Sequence, residues 1–156
     1  MFNMIYKFRN TKIRIKNLKP YKPSVLTELL GNNIKIKKNS LVADIGTGGG
    51  ILAILASKLG AKKVYVVDVD KNCKIPIELN SKINGADNII FLHGSMLKPL
   101  KEKVDIVIAN LPQMPSNRKI DFHRYGSADG TKYNAELIKT APKYLRKNGV
   151  IFFSLM

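Results

Sequence analysis

The sequence predicts a three-layer α/β domain built on a mainly parallel sheet. Three observations predict it. From Leu41 onward short apolar runs alternate with segments of helical spacing, one run ends in a glycine cluster that opens a helix, and acidic residues stand at the ends of the first two runs. A chain of 156 residues falls in the single-domain range and can bury one core between a sheet and its helices. Its 45% hydrophobic and 24% charged residues are those of an ordinary folded protein, without repeats or low-complexity runs.

Residues 1–40 read as an N-terminal extension and 41–156 as the core. Residues 12–16, Lys-Ile-Arg-Ile-Lys, alternate strictly between polar and apolar, which argues for a half-exposed strand paired with residues 5–8 across a turn at Asn10. Pro20 and Pro23 break the chain, and Ser24 caps a short helix carrying Val25, Leu26, Leu29 and Leu30, closed by Gly31. Four core strands follow at Leu41–Ile45, 64–68, 89–92 and Val104–Ala109, and residues 150–155 make a fifth after the Asn148-Gly149 stop. A helix over 51–59 is apolar on most sides and ends at Gly60. In the segment 71–84 Pro76 predicts a kink or a late start, and Pro142 raises the same expectation for a helix over 131–147.

No run approaches the roughly 20 apolar residues that span a bilayer, and the basic opening lacks the apolar block of a signal peptide, so a cytoplasmic location is expected. The single cysteine, Cys73, has no partner for a disulfide and no thiol neighbours for a zinc site, and it reads as a small buried filler. The formal charge is +16, and the first 40 residues, with ten Lys/Arg against one Glu, carry more than half of the excess. A basic arm attracts phosphate backbones, which makes RNA a natural partner, with Lys12, Arg14 and Lys16 as candidate contacts. The alternative is compositional: 22 of the 27 basic residues are Lys, and Asn and Ile are abundant, as an AT-rich genome would produce.

The chemistry concentrates in Asp44-Ile45-Gly46-Thr47-Gly48-Gly49-Gly50, between the first core strand and its helix. Glycines there let the backbone turn sharply and let a ligand lie against main-chain amides at a helix N-terminus. A dinucleotide fingerprint needs a third Gly or Ala where this chain has Ile51, so NAD fits poorly. Asp44 would repel a pyrophosphate but can hold the cationic amino group of an amino-acid-bearing cofactor. Asp68, 18 residues beyond Gly50 at the end of the second strand, is placed to accept bonds from ribose hydroxyls, whereas Asp70 reads as the cap of the next helix.

Together with Asn110-Leu111-Pro112-Gln113 at the end of the fourth strand, these residues resemble the motifs of class I S-adenosylmethionine-dependent methyltransferases over about residues 41 to 155. The resemblance implies a Rossmann-like three-layer sandwich and S-adenosyl-L-methionine as cofactor. Its contacts would come from Asp44, Gly46, Thr47, Gly48, Gly50, Asp68 with its neighbour Val69, Ser95, Met96 and Asn110. The third strand should end near the adenine, at His93, Gly94, Ser95 and Met96. Ser95 stands where most relatives carry an Asp, and His93 reads as a surface residue at a strand end.

The family version of the second motif, Asn-Pro-Pro-Tyr, marks enzymes that methylate amide or exocyclic amine nitrogens, including release-factor glutamine methyltransferases and those acting on adenine or guanine amino groups. A conjugated nitrogen is a poor nucleophile and must be held. The Asn110 side chain and the Leu111 carbonyl would accept its N–H bonds, with Pro112 shaping the loop. Leu111 replaces a proline and Gln113 replaces the aromatic that stacks on a flat acceptor, and an Asn-X-Pro turn that merely ends a strand is the plainer alternative. From Gln113 to about Gly130 the chain reads as a substrate loop, its Gly126-Ser127-Ala128-Asp129-Gly130 resembling a segment of the glutamine methyltransferases. Arg118, His123, Arg124 and Tyr125 are acceptor contacts or solvated loop residues.

A complete class I fold has seven strands and ends in an antiparallel hairpin. Five strands are legible here, so the expectation is a fold lacking that hairpin: a truncated chain, a divergent short form, or a sheet edge covered by a partner or a second copy. Three functions follow from the resemblance: an N-methyltransferase acting on a translation-related protein or on RNA, a non-catalytic module of the same fold that binds RNA or a partner protein, and a small-molecule methyltransferase.

Overall fold

In the computed structural model, residues 4–8, 11–15, 22–115 and 125–155 are described. The alternation at the N-terminus produces a ribbon in which β1 (Met4–Phe8) pairs antiparallel with β2 (Thr11–Ile15). Tyr6, Phe8, Ile13 and Ile15 are buried, and Lys7, Lys12 and Arg14 face outward. Two strands alone bury too little to be stable, and side-chain bonds fasten them to the domain. Asn84 accepts from the Arg14 N–H at 2.9 Å and donates to the Arg14 carbonyl at 2.6 Å, replacing a neighbouring strand's hydrogen bonds.

Helix α1 (Val25–Asn33) starts at Ser24 through a capping box: Ser24 Oγ accepts from the Thr27 N–H, and Thr27 Oγ1 accepts from the Ser24 N–H. Gly31 does not close this helix, contrary to the sequence expectation. It lies inside it, because the Phe8 ring packs against the helix backbone there, and a Cβ on Gly31 would sit 2.4 Å from Phe8 Cε1.

The core sheet comprises β3 (Leu41–Ile45), β4 (Lys63–Asp68), β5 (Ile89–His93), β6 (Val104–Ala109) and β7 (Leu145–Phe153), all parallel, in the order β5-β4-β3-β6-β7. The chain winds outward from β3 to one side and then returns to build the other side from β6. A crevice therefore opens at the carboxyl ends of β3 and β6, where open α/β sheets bind ligands. On one face Val42, Val64, Val66, Ile106 and Ile108 pack with α2 (Ile51–Lys58), with Ile77 of α3 (Lys74–Asn84) and with the hairpin. On the other, Ala43, Ile45, Val67, Val107 and Ala109 pack with Leu97, Leu100 and Leu137 of α4 (Lys132–Thr140). The sheet between these layers is the predicted three-layer α/β sandwich.

Two boundaries differ from expectation. The last helix stops at Thr140 rather than running to Lys147: Pro142 cannot donate an intrahelical bond, and the chain tightens into a 3-10 turn at Ala141–Lys143. The fifth core strand then begins at Leu145 and ends at Phe153, not at 150–155. Asn148, with φ 64, does not stop the chain but lets it bulge inside β7, so the partners step from Val104↔Leu145 to Ile106↔Val150. Pro76 falls in the first turn of α3, where its missing N–H costs no helical bond, so the helix starts late after a 3-10 turn at Lys71–Cys73. Among the described residues no helix is long and apolar enough to cross a membrane.

Candidate active site

Asp44 occupies the penultimate position of β3 and is buried, 1% exposed. Its Oδ2 accepts from Thr47 Oγ1 at 2.7 Å. Burial pushes the carboxyl up to about 7, with a smaller push from the Asp68 charge, against the opposing hydrogen bonds from Thr47 and the Ala53 backbone. A carboxyl this dry keeps its proton up to about pH 7 unless a cation stands beside it.

The following loop turns through left-handed backbone at Gly46, Gly48 and Gly50, with φ of 69, 52 and 81. Side chains rarely adopt these values, and their absence leaves bare backbone at the crevice, although the Gly46 and Gly50 N–H groups are already spent on the Val67 and Thr47 carbonyls at 2.8 Å and 2.9 Å. Asp68, at the end of β4, is tied to this loop: Oδ2 accepts from the Gly48 N–H at 3.0 Å and Oδ1 from the Asp70 N–H at 3.0 Å. Each oxygen keeps a second lone pair. Asp70 accepts from the Asn72 N–H at 2.9 Å and caps the 3-10 turn, as its position predicted. Asn80 of α3, which sequence reasoning missed, is buried and donates to the Gly49 carbonyl at 2.9 Å, fixing the loop from beneath.

Beyond β5 the Gly94 N–H bonds the Asp68 carbonyl at 2.9 Å, continuing the parallel pairing of Asp68 with His93 and keeping the end of β5 beside Asp68. Ser95 is exposed and Met96 buried at φ 53, while Val69 stands 57% exposed over the same edge. His93 is exposed, with Nε2 3.0 Å from the Val69 carbonyl, a strand-end contact.

Asn110 follows β6 at the switch point, and its amide is held at both ends. Nδ2 donates to Thr27 Oγ1 of α1 at 2.8 Å, and Oδ1 accepts from Ser154 Oγ, just past β7, at 2.7 Å. Leu111 packs on the glycine loop, where a Cβ on Gly46 would stand 3.0 Å from Leu111 Cδ2. The leucine that replaces the motif's proline thus couples the two loops. Gln113 is buried and donates to Ser154 Oγ at 3.0 Å, so it faces inward instead of offering a stacking surface. Pro112 is half-buried between them.

The Gly126 to Gly130 segment presses backbone to backbone on the Asn110 loop: a Cβ on Gly126 would meet Gln113 Cα at 2.5 Å, and one on Gly130 would meet the Gln113 carbonyl oxygen at 2.4 Å. Asp129 closes this turn by accepting from Ser127 Oγ, the Thr131 N–H and Thr131 Oγ1, which hold its carboxyl down at about 2. Tyr125 forms a bridge with Met114, whereas Arg118, His123, Arg124 and Lys16 lie outside the described residues.

The residues present fit S-adenosylmethionine: a dry acid for its amino group, a glycine cradle open to ligand atoms, a strand-end acid with spare lone pairs for ribose, and an Asn loop across the crevice. Fold and site define a class I S-adenosylmethionine-dependent methyltransferase. The chain belongs to the ribosomal protein L11 methyltransferase (PrmA) family, whose profile matches residues 24–114.

It is 31% identical over 154 residues to a Methanocaldococcus jannaschii protein provisionally named a protein N5-glutamine methyltransferase, covering 95% of this chain and 77% of that one. It is 47% identical over 76 residues to a ribosomal protein L11 methyltransferase of Clostridium perfringens, covering 49% of this chain but 24% of that enzyme. The crystal structure of a ribosomal protein L11 methylase from Lactobacillus delbrueckii subsp. bulgaricus superposes with a TM-score of 0.67 at 28% identity, covering 86% of this chain and 61% of that one. The chain thus spans only part of the L11 enzymes it matches.

Proposed function

We propose that the protein methylates a side-chain amide nitrogen, that of a glutamine in a protein of the translation apparatus. The observation that carries this reading is Asn110, held at the crevice with Oδ1 accepting, among the described residues, one bond, from Ser154 Oγ. When bound, S-adenosylmethionine supplies an electrophilic methyl group. Asp44 holds its amino group, the Gly46, Thr47, Gly48 and Gly50 segment shapes the cradle, Asp68 takes the ribose, and Val69, Ser95 and Met96 border the adenine. Asn110 Oδ1, through its second lone pair, and the Leu111 carbonyl accept the two N–H bonds of the acceptor amide. Both bonds hold the acceptor nitrogen with one face toward that methyl and mark the N–H whose proton leaves to solvent when the nitrogen is methylated. The similarity to a protein named for glutamine methylation supports the choice of acceptor.

A second reading, an RNA acceptor, is favoured by one observation: Lys7, Lys12 and Arg14 share the outer face of the hairpin, with Lys7 directly opposite Lys12. The outer edge of β7, with Val150 and Leu155 exposed, is where further chain, a partner or a second copy would pair.

The test is transfer of tritiated methyl from S-adenosylmethionine into the protein, RNA and small-molecule fractions of a cell extract. Label recovered as N5-methylglutamine from protein, reduced by about 100-fold or more in Asn110→Ala, is the expected result. Label in nucleotides would establish the second reading, and label in the small-molecule fraction a metabolite acceptor. Cofactor binding by calorimetry without label in any fraction would make the protein a non-catalytic module.

A further inference from the structure

We infer that Thr27 and Ser154 are positioning residues that lock the Asn110 amide in one orientation for methyl transfer, an inference that rests on Asn110 receiving the acceptor nitrogen. A side-chain amide has two ends of nearly equal shape and opposite hydrogen-bonding character. Turned one way, Asn110 presents Oδ1 to an acceptor N–H. Flipped by half a turn, it presents N–H to N–H, which repels the acceptor.

The surroundings of Asn110 choose between these. Gln113 Nε2 can only donate, and it donates to Ser154 Oγ at 3.0 Å. Ser154 therefore directs its own proton onward, and Asn110 Oδ1 receives it at 2.7 Å. Ser154 is itself fixed by main-chain bonds: its N–H meets the Ala109 carbonyl at 3.3 Å, and its carbonyl accepts from Asn134 Nδ2 at 3.3 Å. At the other end Thr27 Oγ1 accepts from the Ser24 N–H at 3.1 Å and lies 3.3 Å from Ser24 Oγ, a contact that either hydroxyl can donate; with the Thr27 proton directed to Ser24, Thr27 Oγ1 offers its second lone pair to Asn110. Asn110 Nδ2 supplies the matching hydrogen at 2.8 Å. From Gln113 through Ser154 and Asn110 to Thr27 every link runs with the same polarity, and reversing the Asn110 amide would require both hydroxyls to turn and the Gln113 amide to flip with it.

The relay also accounts for the motif's departures. Gln113, in place of an outward aromatic, polarises Ser154. The capping box at Ser24 and Thr27 serves Asn110 as well as α1, so a residue 83 positions away in sequence completes the site.

The experiment compares Thr27→Val, Thr27→Ser, Ser154→Ala and Asn110→Ala in the tritium assay, with cofactor affinity measured by calorimetry and folding by thermal denaturation. Removing one such hydrogen bond should lower kcat about 3- to 10-fold in Thr27→Val and in Ser154→Ala. The KM and Kd for S-adenosylmethionine should stay within about twofold, and Thr27→Ser should restore the rate. In the Asn110→Ala background neither substitution should lower the residual rate further, since an effect exerted through Asn110 vanishes with it.

A second readout needs no turnover. The Asn110 side-chain NH2 resonances of the 15N-labelled protein should show two well-separated, exchange-protected protons, and Thr27→Val should collapse the protection. If Thr27→Val fails to fold, Ser154→Ala carries the test. Full kcat in Thr27→Val and Ser154→Ala, alongside a crippled Asn110→Ala, would overturn this inference and spare the proposed function. A fully active Asn110→Ala would sink the proposed function itself. A defect confined to cofactor affinity would reassign Thr27 to binding and overturn its positioning role.

Discussion

Gly31 of α1 and Phe8 of β1 meet at a distance that leaves no room for a side chain: a Cβ on Gly31 would lie 2.4 Å and 2.5 Å from two carbons of the Phe8 ring. The ring is 1% exposed and cannot swing aside. Two effects compete in Gly31→Ala. Alanine is a better helix former by about 1 kcal/mol, but overpacking a rigid buried contact costs about 1–3 kcal/mol. The overlap is deep, so overpacking wins, and urea denaturation should show a net destabilisation of about 1–2 kcal/mol. Shortening the ring in Gly31→Ala/Phe8→Leu should recover part of it. A stabilised single variant would show that the hairpin does not pack there.

The Asp44 carboxyl gives apoprotein stability a particular pH dependence. Unfolded, it ionises near 3.8, and folded without ligand it ionises near 7, chiefly because of burial. Between these values the native state keeps a proton that the unfolded chain has released. Asp44 is therefore neutral in its effect below about pH 4 and increasingly destabilising as pH rises to about 7, by a total on the order of 4 kcal/mol. Asp44→Asn should flatten this part of the stability profile and raise apoprotein stability at neutral pH.

Ligand binding should act in the opposite direction, since a cationic amino group beside Asp44 restores the ionised form. Calorimetry at about pH 6, in two buffers of different ionisation heat, should register proton release on binding S-adenosylmethionine, and affinity should rise with pH up to about 7. In Asp44→Asn the proton release should disappear and affinity should fall. Binding with no proton release in the unmodified protein would place the amino group away from Asp44.

The parts of this fold legible in the sequence were those set by neighbours along the chain. Apolar runs bounded by glycine, proline and acidic residues marked the hairpin and the core strands, and the glycine loop with Asp44 and Asp68 marked one side of the crevice. Asn110 was legible as a motif. What holds it was not: Thr27 looked like a helix residue and Ser154 like the end of a strand, and only the sheet order brings both to β6. Gln113 read as a missing aromatic because its inward direction depends on Ser154, 41 residues later. Gly31 misled for the same reason, since glycine ends helices as readily as it admits a neighbouring ring, and the ring belongs to another element.

Lys7 and Lys12 stand directly across the hairpin from one another, both exposed. Like charges opposite each other on a ribbon destabilise it by roughly 0.2–1 kcal/mol, and Arg14, on the same face, adds to the local positive potential. Lys12→Glu converts the repulsive pair into an attractive one and should stabilise the protein by up to about 1 kcal/mol. If the outer face binds phosphates, the same substitution should weaken retention of total RNA. It should also reduce the slope of log affinity against log salt by about 0.7–0.9 for each phosphate that is no longer neutralised. A more stable protein that binds RNA less well would mark a surface that keeps its charge for a polyanion. A more stable protein with RNA retention and salt slope unchanged would assign the charge to composition, and would leave the glutamine reading without its RNA rival.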